Sequence, residues 1–156
     1  MRRVNRLVVH HTATSKDKTV EDIRQMHYAN GWSDIGYHYV VRYGEVLDGR
    51  PVGLVGAHAY GHNTGSIGIT TVGNWSIEPM PAETFEALTD MLTELCIDYN
   101  LHPAAIRAHR ELEGAATECC GLLVDMDVLR DVVLDKYRDN PRVKAKYENY
   151  YQQTKP

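Results

Sequence analysis

The stretch Arg107–Gly121, RAHRELEGAATECCG, carries an imidazole at His109 followed by adjacent thiols at Cys119 and Cys120. Near the other end of the chain, RLVVHH runs apolar and β-branched into His10 and His11. A catalytic zinc takes three protein ligands and leaves one position for water or substrate, and imidazole nitrogen and thiolate sulfur both suit it. A site drawn from both segments demands a fold in which the end of the first strand lies beside a loop far along the chain. That demand is the strongest constraint the sequence carries. Side chains alternate along a strand, so only one of His10 and His11 can face such a site. Taken singly, each is more simply a strand-end histidine bonded to backbone, and an H-x₉-C spacing alone is a loose signal.

The rest of the composition narrows the class. A chain of 156 residues is long enough to bury one proper core without staples. Apolar residues at 43% and charged residues at 24% describe an ordinary globule. A net charge of −4 argues against nucleic acid, which calls for a clustered positive field. No apolar run approaches the ~20 residues of a membrane helix. The opening MRRVNRLVVHH sets arginines ahead of an apolar run, but LVV falls short of the ~7–15 residue core of a signal peptide. It reads as a first strand, and the chain is expected to be cytoplasmic at synthesis. Three cysteines are an odd count, and adjacent Cys119 and Cys120 suit a disulfide framework poorly. Thiols kept reduced for metal binding fit better, with Cys96, in an apolar helical stripe, a small core residue.

Along the chain, Thr19 with an acid three residues later marks a helix start. Ile23, Met26 and His27 share one face of that helix, and Asn30-Gly31 ends it. Tyr37–Arg42 and Glu45–Leu47 flank Tyr43-Gly44 as a hairpin. SIGITTV at Ser66–Val72 reads as a strand whose glycine marks a close approach. Pro81 suits the first position of the clearest helix, where Phe85, Leu88, Leu92, Leu95 and Tyr99 form one stripe before Asn100 and Pro103 stop it. Ala105–Ala108 leads into His109 as a short strand. Asp125 caps a helix through Val128, Leu129, Val132 and Val133. Strands alternating with helices, plus a hairpin, predict an α/β single domain with a central mixed β-sheet flanked by helices. Residues 1–140 are expected to form the catalytic domain, and the polar segment 141–156, with three tyrosines, a surface helix or tail.

Set in order, VVHHTAT, WSDIGYHYVV, GAHAYGHNTGSIGI and AHREL…TECCG resemble the zinc amidase family that includes the T7-type phage lysozyme, bacterial N-acetylmuramoyl-L-alanine amidases and the animal peptidoglycan recognition proteins. The blocks keep the family's order from Leu7 to Gly121, and GAHAYGHN followed by SIGI is the most distinctive. The resemblance implies an amidase fold and a Zn2+ ion held by His10, the first of the HH pair, with His109 and Cys119. It places Cys120 where the family's T-x-C-P-G has proline, which leaves open which thiol binds. It also implies that Tyr37 and Thr117 assist the chemistry, and that His58 and Asn63 of the GAHAYGHN block, with Trp32, lie along the substrate groove. For Trp32 a plain packing role is an equal alternative. One branch of the family carries a catalytic glutamate in the strand after SIGI; GITTVG has none, which favours the branch where tyrosine assists.

What the resemblance implies for function is hydrolysis of the amide between N-acetylmuramic acid and L-alanine in peptidoglycan, by a monomer acting as a phage or prophage endolysin. A cytosolic muropeptide-recycling amidase is the runner-up setting. A non-catalytic muropeptide-binding module is the rival from another class; such chains tend to lose the ligand cysteine, and this one keeps two thiols there. A zinc hydrolase for another amide, or a structural zinc site, is more distant, since a structural site usually takes four protein ligands. Among the other histidines, His27 and His38 read as satisfied structural residues and His102 as solvent-facing.

Overall fold

The computed structural model describes residues 2–156. Its sheet contains β1 (Arg6–His11), β2 (Tyr39–Arg42), β3 (Glu45–Asp48), β4 (Ser66–Thr71) and β5 (Ile106–Ala108), in the spatial order β3-β2-β4-β1-β5. Strands β2, β4, β1 and β5 run parallel, and β3 turns back antiparallel on the outer edge of β2. β1 is paired on both sides and covered on both faces, so Leu7, Val8 and Val9 are all fully buried. A near-continuous apolar run is what a parallel strand in that position requires. The expected mixed sheet flanked by helices is therefore present.

Four α-helices follow from local signals: α1 (Val20–Ala29), α2 (Ala82–Asp98), α3 (Met126–Asp139) and α4 (Pro141–Thr154). Thr19 and Asp22 form a reciprocal capping box at the start of α1, each accepting the other's backbone N–H. Ile23 and His27 are buried under α1, whereas Met26, expected on the same face, is 44% exposed. The apolar face of α1 is only one residue wide, and Met26 falls past its edge. Pro81 sits one position earlier than expected, at the N-cap of α2. The stripe Leu88, Leu92 and Leu95 is buried, and Phe85 and Tyr99 pack at its two ends. Cys96 is buried with them. Asp125 caps α3 through the N–H groups of Asp127 and Val128. Leu129 and Val133 of α3 meet α2, while Val128 points outward, 51% exposed.

The C-terminal segment is helical. Asn140 caps α4, Pro141 occupies its first turn, Val143 is buried, and Arg142 reaches Glu94 and Asp98 on α2. Tyr147, Tyr150 and Tyr151 face solvent. No helix among the described residues is long and apolar enough to cross a membrane.

The two faces of β1 have different neighbours. Leu7 and Val9 join the core built with α2 and α3, whereas Val8 packs with Ala59 and Leu112 on the opposite face. The two-residue period of the strand then sends His11 toward the helical core and His10 to the other side.

Candidate metal centre

Parallel neighbours end at the same edge of a sheet. Pairing of Val9 with Ala108 therefore delivers His10, at the end of β1, beside His109, just past β5. Their ring centroids are 4.8 Å apart. The chain then loops back so that Cys119 closes the group, its Sγ 3.5 Å from His10 Nδ1. The ligand atoms of His10, His109 and Cys119 all lie within 4.8 Å of one another. Arg110 holds this return. Its backbone N–H donates to the Cys119 carbonyl at 2.6 Å, and its guanidinium donates to the carbonyls of Gly121 at 2.7 Å and Val124 at 2.6 Å. Gly121 completes the turn at φ 108°, where an added Cβ would lie 2.5 Å from Trp75 Cβ; only glycine fits there.

The geometry separates the paired candidates. His11 lies on the far face, its Nδ1 accepting the Trp75 backbone N–H at 3.1 Å. Cys120 is fully buried in the helical core, its Sγ 3.8 Å from Met126 Sδ. Cys119 is the thiol that faces the imidazoles.

The donor set suits a zinc-type cation. Burial, then the neighbouring His58, His109 and His11, hold His10 well below the ordinary imidazole value, and burial also lowers His109. Both rings are neutral at physiological pH and present lone pairs. Burial pushes the Cys119 thiol up to about 12. Two neutral imidazoles and one thiol converge in a buried place with no countercharge among them, and a divalent cation is what deprotonates a thiol so placed.

Tyr37 approaches from the α1 side, its ring 5.0 Å from that of His10. It lies just before β2, which begins at Tyr39 rather than at the expected Tyr37. Burial, with the Cys119 sulfur close by, raises its phenol above the ordinary value, so it stays protonated and can donate. Behind it, Trp32 packs on His27 with ring centroids 4.6 Å apart, and His27 on Tyr37 at 5.3 Å. The aromatic series ends at Trp32, which is 40% exposed and able to meet a ligand. Thr117 is exposed, and its Oγ1 accepts the Cys119 N–H at 3.2 Å, which leaves its O–H free to donate.

The two residues of the GAHAYGHN block, expected along the substrate groove, are bonded within the protein beside the site. His58 is 8% exposed and lies behind His10, with its Nδ1 2.8 Å from His10 Nε2 and its Nε2 3.2 Å from Ser66 Oγ. Both ring nitrogens are engaged inside the protein, and burial pushes the group down to about 3. Asn63 Oδ1 accepts the backbone N–H groups of His58 and Ala59, both at 2.9 Å. It fixes the loop that carries His58, and only its amide nitrogen remains available to a ligand.

The remaining four histidines are structural. His27 Nδ1 accepts the Gly36 N–H, His38 Nδ1 accepts the Gly68 N–H, His62 Nε2 donates to the Glu113 carbonyl, and exposed His102 caps the turn at Ala104. Glu111 does not support His109; it accepts from Ala108 N–H and pairs with Arg130. Sequence reasoning passed over Arg110 and Ser66. Gly68 was the available signal for the close approach of His58, because a Cβ there would lie 2.5 Å from His58 Cδ2 and 2.8 Å from Nδ1.

Residues 1–121 match the family described as N-acetylmuramoyl-L-alanine amidase. The chain is 35% identical over 120 residues to the endolysin of Klebsiella phage KP32, covering 72% of this chain and 78% of that protein. It is 37% identical over 119 residues to the endolysin of Escherichia phage T7, covering 70% and 77%. Among solved structures, the N-acetylmuramoyl-L-alanine amidase LysC from Clostridium intestinale URNW superposes with a TM-score of 0.77 at 30% identity, over 83% of this chain and 85% of that one.

Proposed function

The chain belongs to the family of N-acetylmuramoyl-L-alanine amidases, and from that premise we propose that it cuts the amide joining N-acetylmuramic acid to the first L-alanine of peptidoglycan, with Zn2+ held by His10, His109 and Cys119. It is a peptidoglycan amidase, and the phage endolysins among its relatives favour release onto the cell wall as its setting. The observation that carries the proposal is the convergence of two neutral imidazoles and one thiol within 4.8 Å. The protein is proposed to act as a monomer. Residues 1–140 would form the catalytic domain, with 141–156 as an appended helix.

An amide carbon is a poor electrophile and neutral water a poor nucleophile. Zinc, when bound, supplies carbonyl polarisation and lowers the pKa of a bound water from 15.7 toward roughly 7. The chain's own residues do the rest. His10 and His109 present lone pairs from a rigid strand edge, so the site needs little rearrangement to receive a cation. Tyr37, held protonated by burial, would donate to the oxygen that gains negative charge as the carbonyl carbon becomes tetrahedral. Each donor aimed at such an oxygen is worth roughly 2.7–4 kcal/mol. The free O–H of Thr117 is a second donor on the cysteine side. Trp32 supplies an exposed aromatic wall for sugar or peptide at the end of the series that leads in to Tyr37.

The test is direct. Purified protein is incubated with peptidoglycan, with and without a chelator, and the new ends are identified by mass. Stem peptides beginning at L-alanine, lost on chelation and restored by zinc, are the expected products. New reducing sugars, or binding without release, would overturn the proposal.

A further inference from the structure

His58 sits behind His10 in a chain of hydrogen bonds whose direction can be worked out from its far end. Ser66 Oγ lies 2.8 Å from the His62 carbonyl and 3.1 Å from that of Asn63. A carbonyl only accepts, so the Ser66 O–H must donate to one of them. Its oxygen is then the acceptor for His58 Nε2, 3.2 Å away, and that nitrogen carries the proton. A neutral imidazole with its proton on Nε2 has a lone pair on Nδ1. That lone pair faces His10 Nε2 at 2.8 Å, so His10 is the donor there. The proton of His10 is thereby fixed on Nε2, and Nδ1, which faces Cys119 Sγ at 3.5 Å, is left as a lone pair.

We propose that the Ser66–His58 pair is a tautomer lock that holds His10 with Nδ1 free for the cation before any cation arrives. His58 is thus a positioning residue rather than a substrate contact. The other parts of the GAHAYGHN…SIG block serve the same device. Asn63 pins the backbone of His58 through two N–H groups. Gly68, paired with Val8 on β1, leaves open the volume that the His58 ring fills. The opposite tautomer at His10 would aim an N–H at the thiol, and His10 could not coordinate through Nδ1 until both rings exchanged protons. The effect on zinc rests on His10 being a ligand, as proposed above; the lock itself is a property of the metal-free protein.

Two measurements separate these. In ¹⁵N-histidine-labelled, metal-free protein, long-range ¹H–¹⁵N spectra should show His10 as a single Nε2–H tautomer. Ser66→Ala and His58→Leu should turn it into a mixture. His58→Asn, whose Oδ1 can stand near the place of Nδ1, should keep it. Zinc affinity, read by competition with a fluorescent chelator, should fall about 10–100-fold in His58→Leu, the range for outer-shell partners of metal-ligating histidine. It should be restored for the most part in His58→Asn. Should His58→Leu fail to fold, Ser66→Ala carries the same test from one bond further out. A wild-type His10 protonated on Nδ1, or a tautomer and affinity indifferent to Ser66→Ala and His58→Leu, would overturn the lock. Absence of peptidoglycan cleavage by the zinc-loaded wild type, with the tautomer as expected, would overturn the proposed function instead.

Discussion

The adjacent thiols offer the sharpest test of the site, because the same side-chain truncation one residue apart should have opposite consequences. Cys119 Sγ lies 3.5 Å from His10 Nδ1, whereas Cys120 is fully buried with Val124 and Met126 in the helical core. Structural zinc held by four ligands is bound by about 10–16 kcal/mol, so one ligand accounts for about 2.5–4 kcal/mol. At 1.4 kcal/mol per decade, Cys119→Ala should weaken zinc binding by about a hundred- to a thousandfold. Cys120→Ala removes one buried sulfur from a packed core, comparable to deleting a methyl group, at a cost of about 0.5–1.5 kcal/mol. For a domain of this size that lowers the melting temperature by about 2–4 °C per kcal/mol. Its zinc affinity should stay within about threefold of the wild type, under about 0.7 kcal/mol. The assay is chelator competition on both variants, with cobalt substitution to report the thiolate-to-metal band and thermal unfolding of the metal-free proteins alongside. Loss of metal in Cys120→Ala together with retention in Cys119→Ala would refute the assignment of the thiols.

Further outcomes follow from other parts of the structure. Tyr37→Phe should cut kcat by about 10²–10³-fold, the worth of one donor to a developing oxyanion, while bound zinc, measured by metal analysis, is unchanged; unchanged turnover would remove Tyr37 from the mechanism. Arg110→Ala takes the donor away from the carbonyl of buried Val124, while that of Gly121 keeps the Val124 N–H, and should cost about 1–3 kcal/mol; an unaltered melting temperature would show that the loop needs no clamp. Leu92→Ala, at a fully buried position in the core that α2 shares with the sheet and α3, should cost about 2–5 kcal/mol in a denaturant titration, and a cost near zero would mean that α2 does not pack as described. Burial alone would raise the Glu111 carboxyl, but Arg130 and the Ala108 N–H outweigh it and hold it below its ordinary 4.5. A depressed folded pKa contributes stability that is present above pH 4.5 and lost as the pH falls through the folded value. Glu111→Gln should therefore flatten the acid limb of a stability–pH curve, and an unchanged limb would refute the pairing.

Elements with strictly local causes were legible. The capping box at Thr19, the stripe of α2 and the Asp125 cap each depend on residues within a few positions of one another, and periodicity or a hydroxyl–acid spacing exposes them. Two departures share one cause. Met26 and Val128 have the right spacing for an inward face, yet both are largely exposed, because how wide a face is buried depends on the partner's breadth, which no window along the chain contains. The segment after Pro141 is polar in composition and reads as a surface helix or tail. The anchoring comes from elsewhere: Arg142 reaches two acids on α2, and a single apolar side chain, Val143, is buried.

The site divides along the same line. Alternation on β1 shows that His10 and His11 cannot serve together, but choosing between them takes the other layers of the fold, in which His11 meets Trp75 and His10 meets Cys119. The choice between thiols is likewise made by α3, whose Met126 occupies the space beside Cys120. The second tier lay furthest from view. His58 is a lone histidine in a glycine-rich loop, and nothing adjacent to it in sequence distinguishes a substrate contact from a support. Its role is set by an absence on β4, the missing side chain at Gly68, and by a serine two residues earlier that has a backbone carbonyl to satisfy. Once that carbonyl is recognised as an acceptor only, every proton between it and His10 has one consistent place. The tautomer of His10 is then decided by a peptide group in the turn before β4, on the side of His58 away from the site.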